Sequence, residues 1–476
     1  MTAQKHDKSK RDRKSLMLFA GGVLALILAI QYNMIRVAEL QAEPNEENSA
    51  TFSSSGSADL ASLKDSKATR NTELGKAIKA DSNKDLDVLL NDPAMSQKWD
   101  LKSTQTQEAW VRHRALGSKS VKVCVIDTGV DVNHPDLKDN LWTNPGETGK
   151  DQFGRNKATN QIDDDGDGCV DDVHGCNFIA NNGDLTDHHG HGTHIAGAIG
   201  ATGNKGKGVV GVSPRVTLII AKYYDPEAST NNNLVNTVRA IRYCVQQNAT
   251  IINYSGGGLE PSEKEREAVA LARDRGILFV AAAGNEASNS DIKHYYPADY
   301  GLDNIISVTA YDPDQNVLPS SNFGAASVDI AAPGKKIYST LPGGNYGFMT
   351  GTSQATAVVT GVAALLKAQF SDFDASRIIR HITETGDLDT IKLAGKTRSQ
   401  KRLNAYRALA ILDSGVTVSG AVPVNTANIP KSQFSVSAQD ASTNDLPDTL
   451  RDPANLSGFG HDLRELIKVR QANRPH

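Results

Sequence analysis

Excess positive charge is what this sequence most plainly lacks: 51 Lys and Arg are set against 55 Asp and Glu, for a net charge of −4. That balance gives no electrostatic footprint for nucleic acid or for an anionic membrane surface, so no nucleic-acid partner is expected. Apolar residues are also scarce, at 39%, which is low for a compact globule of this length. The deficit sits at the two ends. Residues 41–95 are rich in Ser, Asn, Asp, Glu and Lys and hold a single aromatic, Phe52. Such a segment cannot bury enough apolar area to offset the entropy of ordering it, and its shortage of aromatic and β-branched residues argues against a folded domain there. Residues 413–476 share this character apart from one helix-like run, DLRELIKVRQ at 462–471. No internal repeat is visible. Cysteine is rare, with four in 476 residues.

What is present begins with residues 1–14, which carry six Lys and Arg against two Asp, followed by the wholly apolar run LMLFAGGVLALILAI at 16–30. A basic flank before an apolar run reads as an export signal with its N-terminus in the cytoplasm. Extended to Ile35, the run just reaches the ~20 residues a membrane span needs. A cut after Ala42 would put Leu40 at −3, a poor fit to the small-residue preference of signal cleavage. The favoured reading is an anchor at 15–35 that tethers the protein to the cell envelope with the rest of the chain outside the cytoplasm; a cleaved signal and a secreted product are the alternative. The chain then divides into a basic segment (1–14), the anchor or signal (15–35), a polar linker or short pro-segment (36–95), a compact domain (96–412) and a disordered tail (413–476). If the polar segment clears a site, a cut near 92–98 is needed. Under export the cysteines meet an oxidising compartment. A disulfide is expected across the short loop CVDDVHGC, between Cys169 and Cys176. Cys124, in an apolar strand, and Cys244, in a helix-like stretch, read as buried free thiols.

Short apolar runs rich in β-branched residues recur through the middle: VKVCVI at 121–126, VTLIIA at 216–221, TIINY at 250–254, ILFVAAA at 277–283 and IISVT at 305–309. Helix-like segments at 191–201, 233–248 and 262–275 separate them, and a long Ala, Val and Leu-rich helix follows at 353–369. Buried strands alternating with helices predict an α/β fold, a doubly wound and mainly parallel sheet with helices on both faces. Gly-rich loops follow several strands, where open parallel sheets place their sites.

One of those loops, GTSQATAVVTG at 351–361, sets Ser353 between small residues where a helix starts. A serine hydroxyl is a weak nucleophile unless a base lies within hydrogen-bond reach and a third group orients that base. Asp127 follows the strand VKVCVI directly. His191 sits in DHHGHGTHIAGAIG, with His188, His189 and His194 competing for the same role. In AAAGNEASN, Asn285 follows a strand and offers a side-chain amide to a developing oxyanion. In order, VIDTGVD, HGHGTHIAG, AAAGNE and GTSQATA resemble the subtilisin-like serine protease family, over about Ser96 to Leu412 and with further matches in SGGG, SNFG and APG.

The resemblance implies a serine endopeptidase of subtilisin-like fold acting on protein or peptide substrates. It makes Asp127 the orienting carboxylate, His191 the base, Ser353 the nucleophile, and Asn285 with the Ser353 amide the oxyanion donors; His194 falls on a second, non-catalytic histidine. It also implies that Ser255, Gly256 and Gly257 pair as an edge strand with extended substrate, a sequence-tolerant mode of recognition. Glycine at 256, where a bulky apolar residue is usual, is expected to widen the neighbouring pockets. Gln354 and Ala357 replace the family's usual Met and Pro. Two alternatives stay open: a peptide ligase or cyclase on the same fold, suggested by Ala357, and a catalytically quiet peptide-binding module tethered to the membrane.

NQIDDDGDGCVDDVHG at 160–175 places Asp163, Asp165 and Asp167 at alternating positions before Gly168, like the first half of a calcium loop. The twelfth position is His174 rather than a bidentate Glu, so Asp171 or Asp172 would complete the set. A structural Ca²⁺ is expected, since clustered carboxylates repel one another without a cation. Some subtilisin-like enzymes carry a similar Asp-rich insertion.

Overall fold

The computed structural model describes residues 89, 92–203, 208–228 and 232–411. The chain divides into two units, Met1–Gly75 and Lys76–His476, and every described residue belongs to the second. The expected basic segment, the anchor or signal, most of the polar linker, the tail and its helix at 462–471 lie outside the described residues. Among the described residues no helix is long and apolar enough to cross a membrane.

Folded structure begins before 96: Leu89, Asp92 and Ala94 are buried, and Pro93–Gln97 form a short 3₁₀ turn capped by the Asp92 side chain. Lys98 is also buried, paired with Asp100 at 2.9 Å and donating to the Tyr338 carbonyl at 3.0 Å. The stretch where a cut would be needed if the polar segment clears a site is thus partly packed into the domain, with Pro93, Ser96 and Gln97 exposed. Two helices follow, α1 (Trp99–Ser103) and α2 (Thr106–His113).

The centre is a nine-stranded sheet. Its strands are β1 (Gly117–Asp127), β2 (Gly175–Asn177), β3 (Arg215–Lys222), β4 (Ile251–Tyr254), β5 (Leu278–Ala282), β6 (Ile305–Tyr311), β7 (Ile330–Pro333), β10 (Asp387–Leu388) and β11 (Lys401–Arg402). They lie in the order β10-β11-β7-β6-β5-β4-β1-β3-β2, all parallel except the β10–β11 pair. A separate hairpin is made by β8 (Ile337–Leu341) and β9 (Asn345–Met349). Strand order reverses at β1: β3 and β2 extend one way and β4 to β7 the other. In open parallel sheets the crevice at such a switch point, past the carboxyl ends of the strands, is where sites form.

Alternation along β1 builds a core on each face, because successive side chains of a strand point to opposite sides. Val121, Val123 and Val125 join Ile195 and Ile199 of α3 (His191–Gly200) and Val358 and Val362 of α6 (Thr352–Gln369). Cys124 and Ile126 join Ala240 and Ile241 of α4 (Asn233–Gln246) and Val269 of α5 (Glu263–Asp274). Helix α6 is buried along its first fifteen residues, Thr352 to Leu366, as befits a helix apolar on all sides. Helices α7 (Ala375–Thr385) and α8 (Ala405–Ala410) close the domain.

The same alternation corrects the expectation of free thiols. Cys124 shares the face of Ile126 and points at α4, where Cys244 lies on the buried side with Ala240 and Ile241. The two form a disulfide across 120 residues. The expected bond between Cys169 and Cys176 is present, and no cysteine is free.

Candidate active site

Asp127 ends β1, and the register sets it opposite Lys222 of β3 while Ile126 lies opposite Tyr254 of β4. Its carboxylate is 1% exposed. Oδ1 accepts from its neighbour's amide, Thr128 N, at 2.8 Å and lies 2.8 Å from His191 Nδ1. His191 is the first residue of α3 and is 3% exposed. It gets there because Gly190 takes φ +90° and because Gly192 has no side chain: a Cβ there would sit 2.1 Å from the Gly129 carbonyl. Helix α3 can therefore abut the end of β1.

Ser353 lies at the start of α6, 4% exposed. Its hydroxyl donates to the Ser255 carbonyl at 3.0 Å, and the Ser255 hydroxyl donates back to the Ser353 carbonyl at 3.2 Å. Ser255 directly follows β4, the strand beside β1. Asp127, His191 and Ser353 are thus gathered at one end of the sheet, at the switch point. Asn285 follows β5, on the far side of β4. Its Oδ1 accepts from Thr352 N at 3.0 Å and Thr352 Oγ1 at 3.1 Å, which leaves the Nδ2 donors for another acceptor.

Of the competing histidines, His188 Nδ1 lies 2.9 Å from Asp225 Oδ2, and that carboxylate also takes Lys222 Nζ at 2.7 Å. His194 is fully buried and donates from Nε2 to the Ile337 carbonyl at 2.9 Å. Burial, and then the neighbouring His191, push its pKa down to about 3, so it stays neutral. Its own carbonyl and that of Thr193 accept the hydroxyls of Ser339 and Thr340, each at 2.7 Å, which fastens α3 to β8.

Gly258 pairs with Tyr296 through N–H to O bonds of 2.9 and 2.8 Å. The expectation that Gly256 opens a pocket is corrected here. A Cβ on Gly256 would lie 2.6 Å from the Tyr223 hydroxyl and 3.0 Å from the Tyr254 ring. Tyr223 and Tyr254 occupy the space that a side chain at 256 would need. A Cβ on Gly257 would meet the Tyr295 ring at 2.4 Å.

Sequence reasoning missed several supporting residues. Asn322, in SNFG, accepts from the amides of Glu286 and Ser288 at 2.9 and 3.0 Å and donates to the Ala283 carbonyl at 2.9 Å, so it braces the loop carrying Asn285. Asp187, four residues before His191, takes five donors. The signal was the Asp that opens the DHHGHGTH stretch.

In the acidic loop, Asp163, Asp165 and Asp167 converge, and so do Glu147, Asp165 and Asp172. Asp171 is in neither group: its carboxylate accepts the Gln161 amide at 3.1 and 3.2 Å. Glu147, unforeseen because NPGE lies well upstream, is buried. Its Oε1 accepts the Asp164 amide at 2.6 Å, and its Oε2 has no hydrogen-bond partner among the described residues. Burial, then the Asp165 carboxylate, pushes Asp167 up to about 6. Asp172 rises to about 8 through burial, with the Asp167 and Asp165 charges raising it further against the Tyr243 and Asn144 hydrogen bonds that lower it.

A mainly parallel α/β sheet with a buried Asp–His pair at its switch point and a serine at a helix start defines a subtilisin-like fold. The sequence profile of the subtilase family matches residues 118–406, and the chain belongs to that family. It is 34% identical over 316 residues to subtilisin-like protease 1 of Plasmodium falciparum, covering 62% of this chain and 44% of that protein. It is 33% identical over 328 residues to subtilisin-like protease 2 of the same organism, covering 68% and 22%. To thermitase of Thermoactinomyces vulgaris it is 32% identical over 320 residues, covering 67% of this chain and 98% of thermitase. The chain thus spans less than half the length of the first two of these relatives.

Proposed function

We propose that this protein is an exported serine endopeptidase that cleaves protein or peptide substrates through an acyl-enzyme. The observation that carries the reading is the 2.8 Å bond between buried Asp127 and His191 Nδ1, at the sheet end where Ser353 opens a buried helix. In the reaction, Asp127 fixes the imidazole with its proton on Nδ1, and His191 Nε2 takes the Ser353 proton as Oγ bonds to the scissile carbonyl carbon. The carbonyl oxygen takes the negative charge and receives hydrogen bonds from the Ser353 amide and Asn285 Nδ2. Collapse breaks the C–N bond, and His191 returns the proton to the leaving amine. Water, deprotonated by His191, then releases the acid and restores Ser353. Ser255, Gly256 and Gly257 present backbone to the extended substrate.

The Asp-rich loop is read as a structural calcium site. Its donor set is hard oxygen, and the orphaned, buried Glu147 Oε2 supports a cation there. Asp163, Asp165, Asp167, Asp172 and Glu147 would hold the ion, which neutralises carboxylates that otherwise repel. The family and the two disulfides favour export into an oxidising compartment, with tethering through 15–35 as the working topology.

Peptide-library cleavage by the full chain tests the reaction. Wild type is expected to cut internal peptide bonds, and Ser353→Ala to lose that activity while keeping its circular dichroism spectrum. Equal turnover by the two proteins would refute the assignment.

A further inference from the structure

Asp187 is 6% exposed and is not part of the proposed chemistry, yet it gathers five donors. Its Oδ1 accepts Thr128 Oγ1 at 2.8 Å, Gly190 N at 2.8 Å and His189 N at 3.1 Å. Its Oδ2 accepts Thr193 N at 2.8 Å and Thr193 Oγ1 at 2.7 Å. Burial alone would raise the pKa of this carboxyl, but the Thr193, Gly190 and Thr128 hydrogen bonds outweigh it and hold the pKa below the usual carboxylate range.

The donors share one purpose. The first amides of a helix have no intrahelical acceptor, and Gly190 offers no side chain to cap α3. Asp187 takes up the Thr193 amide of the first turn, and Thr128 Oγ1 takes the Gly192 amide at 2.9 Å. An anion at a helix N-terminus is also favoured by the aligned peptide dipoles. Thr128 then closes a circuit. Its hydroxyl donates to Asp187, and its amide donates to Asp127 Oδ1, the same oxygen that meets His191 Nδ1. Thr193 Oγ1 extends the circuit by accepting the Asp131 amide at 3.0 Å. One carboxylate thus holds together the strand end that carries Asp127 and the helix start that carries His191.

We propose that Asp187 is a positioning residue for the Asp127–His191 pair, a second buried carboxylate that sets the angle and separation of the imidazole and adds negative charge behind it. The proposal rests on the hydrolase reading above. An amide cannot replace the carboxylate, since every Asp187 contact is a donor and an Asn would turn an N–H toward one set of them. The charged and titratable groups around His191 are Asp127 from β1, His188, His189 and His194 from its own segment, Lys222 and Asp225 from β3 and the turn after it, and Lys98 from the N-terminal segment near His194. Against these, removing the Asp187 charge makes the imidazolium less favourable.

The test uses the full chain. Asp187→Asn is expected to lower kcat by about 10²-fold, the usual cost of misplacing a catalytic group by about 1 Å, with KM held within about twofold. The acid limb of the kcat/KM profile is expected to move to lower pH. In a His191→Ala background the same substitution is expected to cause no further loss. A kcat within about threefold of wild type, or an equal loss in the His191→Ala background, would overturn the proposal. Should Asp187→Asn fail to fold, Thr128→Val and Thr128→Ser decide: a loss with Val that Ser restores supports the circuit, and equal kcat for the two refutes it. Titration of His191 by NMR tests the positioning without reference to turnover, and an imidazole pKa unmoved by Asp187→Asn would also overturn it. A wild-type protein with no peptidase activity would refute the hydrolase reading and leave that titration to judge Asp187.

Discussion

At the scale of single residues, the proposed chemistry depends on side chains set in local turns and on the neighbours that the fold brings alongside them. Asp127, His191, Ser353 and Asn285 stand in four stretches whose order and contexts fit one reaction. Asn285 is oriented by Thr352, which occupies its Oδ1. Asn285→Ala is expected to lower kcat by about 10²–10³-fold with little change in KM, the usual loss for one oxyanion donor; steady-state kinetics on one peptide would show it. Gly256 is the opposite case, since nothing in the sequence says that Tyr223 and Tyr254 fill its missing side chain. Gly256→Leu is expected to destabilise the domain by about 1–3 kcal/mol through overpacking, and Tyr223→Ala in the same chain to recover part of that loss, as read by urea unfolding. Gln354 follows Ser353 directly. It is buried, and its Nε2 has no hydrogen-bond partner among the described residues. Gln354→Met is therefore expected to raise stability by about 1–3 kcal/mol, the cost of an unpaired buried polar group, and an unchanged or lowered unfolding midpoint would count against it.

At the level of elements, runs of β-branched residues located β3 to β6 to within a residue or two and the end of β1 to within one, although β1 starts four residues before its apolar run, and the long apolar helix of Ser353 was plain. What composition could not convey was the facing of those elements. Cys124 and Cys244 read as separate thiols, because a pairing across 120 residues depends on strand parity and helix phase together. A crosslink that closes so long a loop constrains the unfolded chain far more than one that closes seven residues. Replacing Cys124 and Cys244 by Ala is accordingly expected to cost about 4–5 kcal/mol and clearly more than replacing Cys169 and Cys176, as judged by denaturant midpoints. The acidic loop repeats the lesson. Three of its carboxylates were visible as an alternating pattern, but Glu147 joins them only through the fold. Calcium is expected to raise the melting temperature, with about 2.7 kcal/mol of added stability at a hundredfold excess over Kd, and Glu147→Gln to remove much of that gain. Identical melting curves in calcium and in chelator would refute a cation in the loop.

For the molecule as a whole, the decisive feature is the reversal of strand order at β1. It sets the end of β1 and the turn after β4 beside each other, and it lets α3 and α6 bring a histidine and a serine to the same end of the sheet from positions 162 residues apart in the chain. Sequence pattern alone announced an α/β sheet; the family's motif order supplied the residues proposed for its site. The convergence is tested most directly by phosphonofluoridate labelling, with the rate and site read by mass spectrometry in wild type, His191→Ala and Asp127→Asn. One label per molecule on Ser353 is expected in wild type, with labelling slowed by more than about 10²-fold in both variants, since the serine is a weak nucleophile without an oriented base. Equal rates in the three proteins, or a label on any other residue, would contradict a catalytic unit built from Asp127, His191 and Ser353.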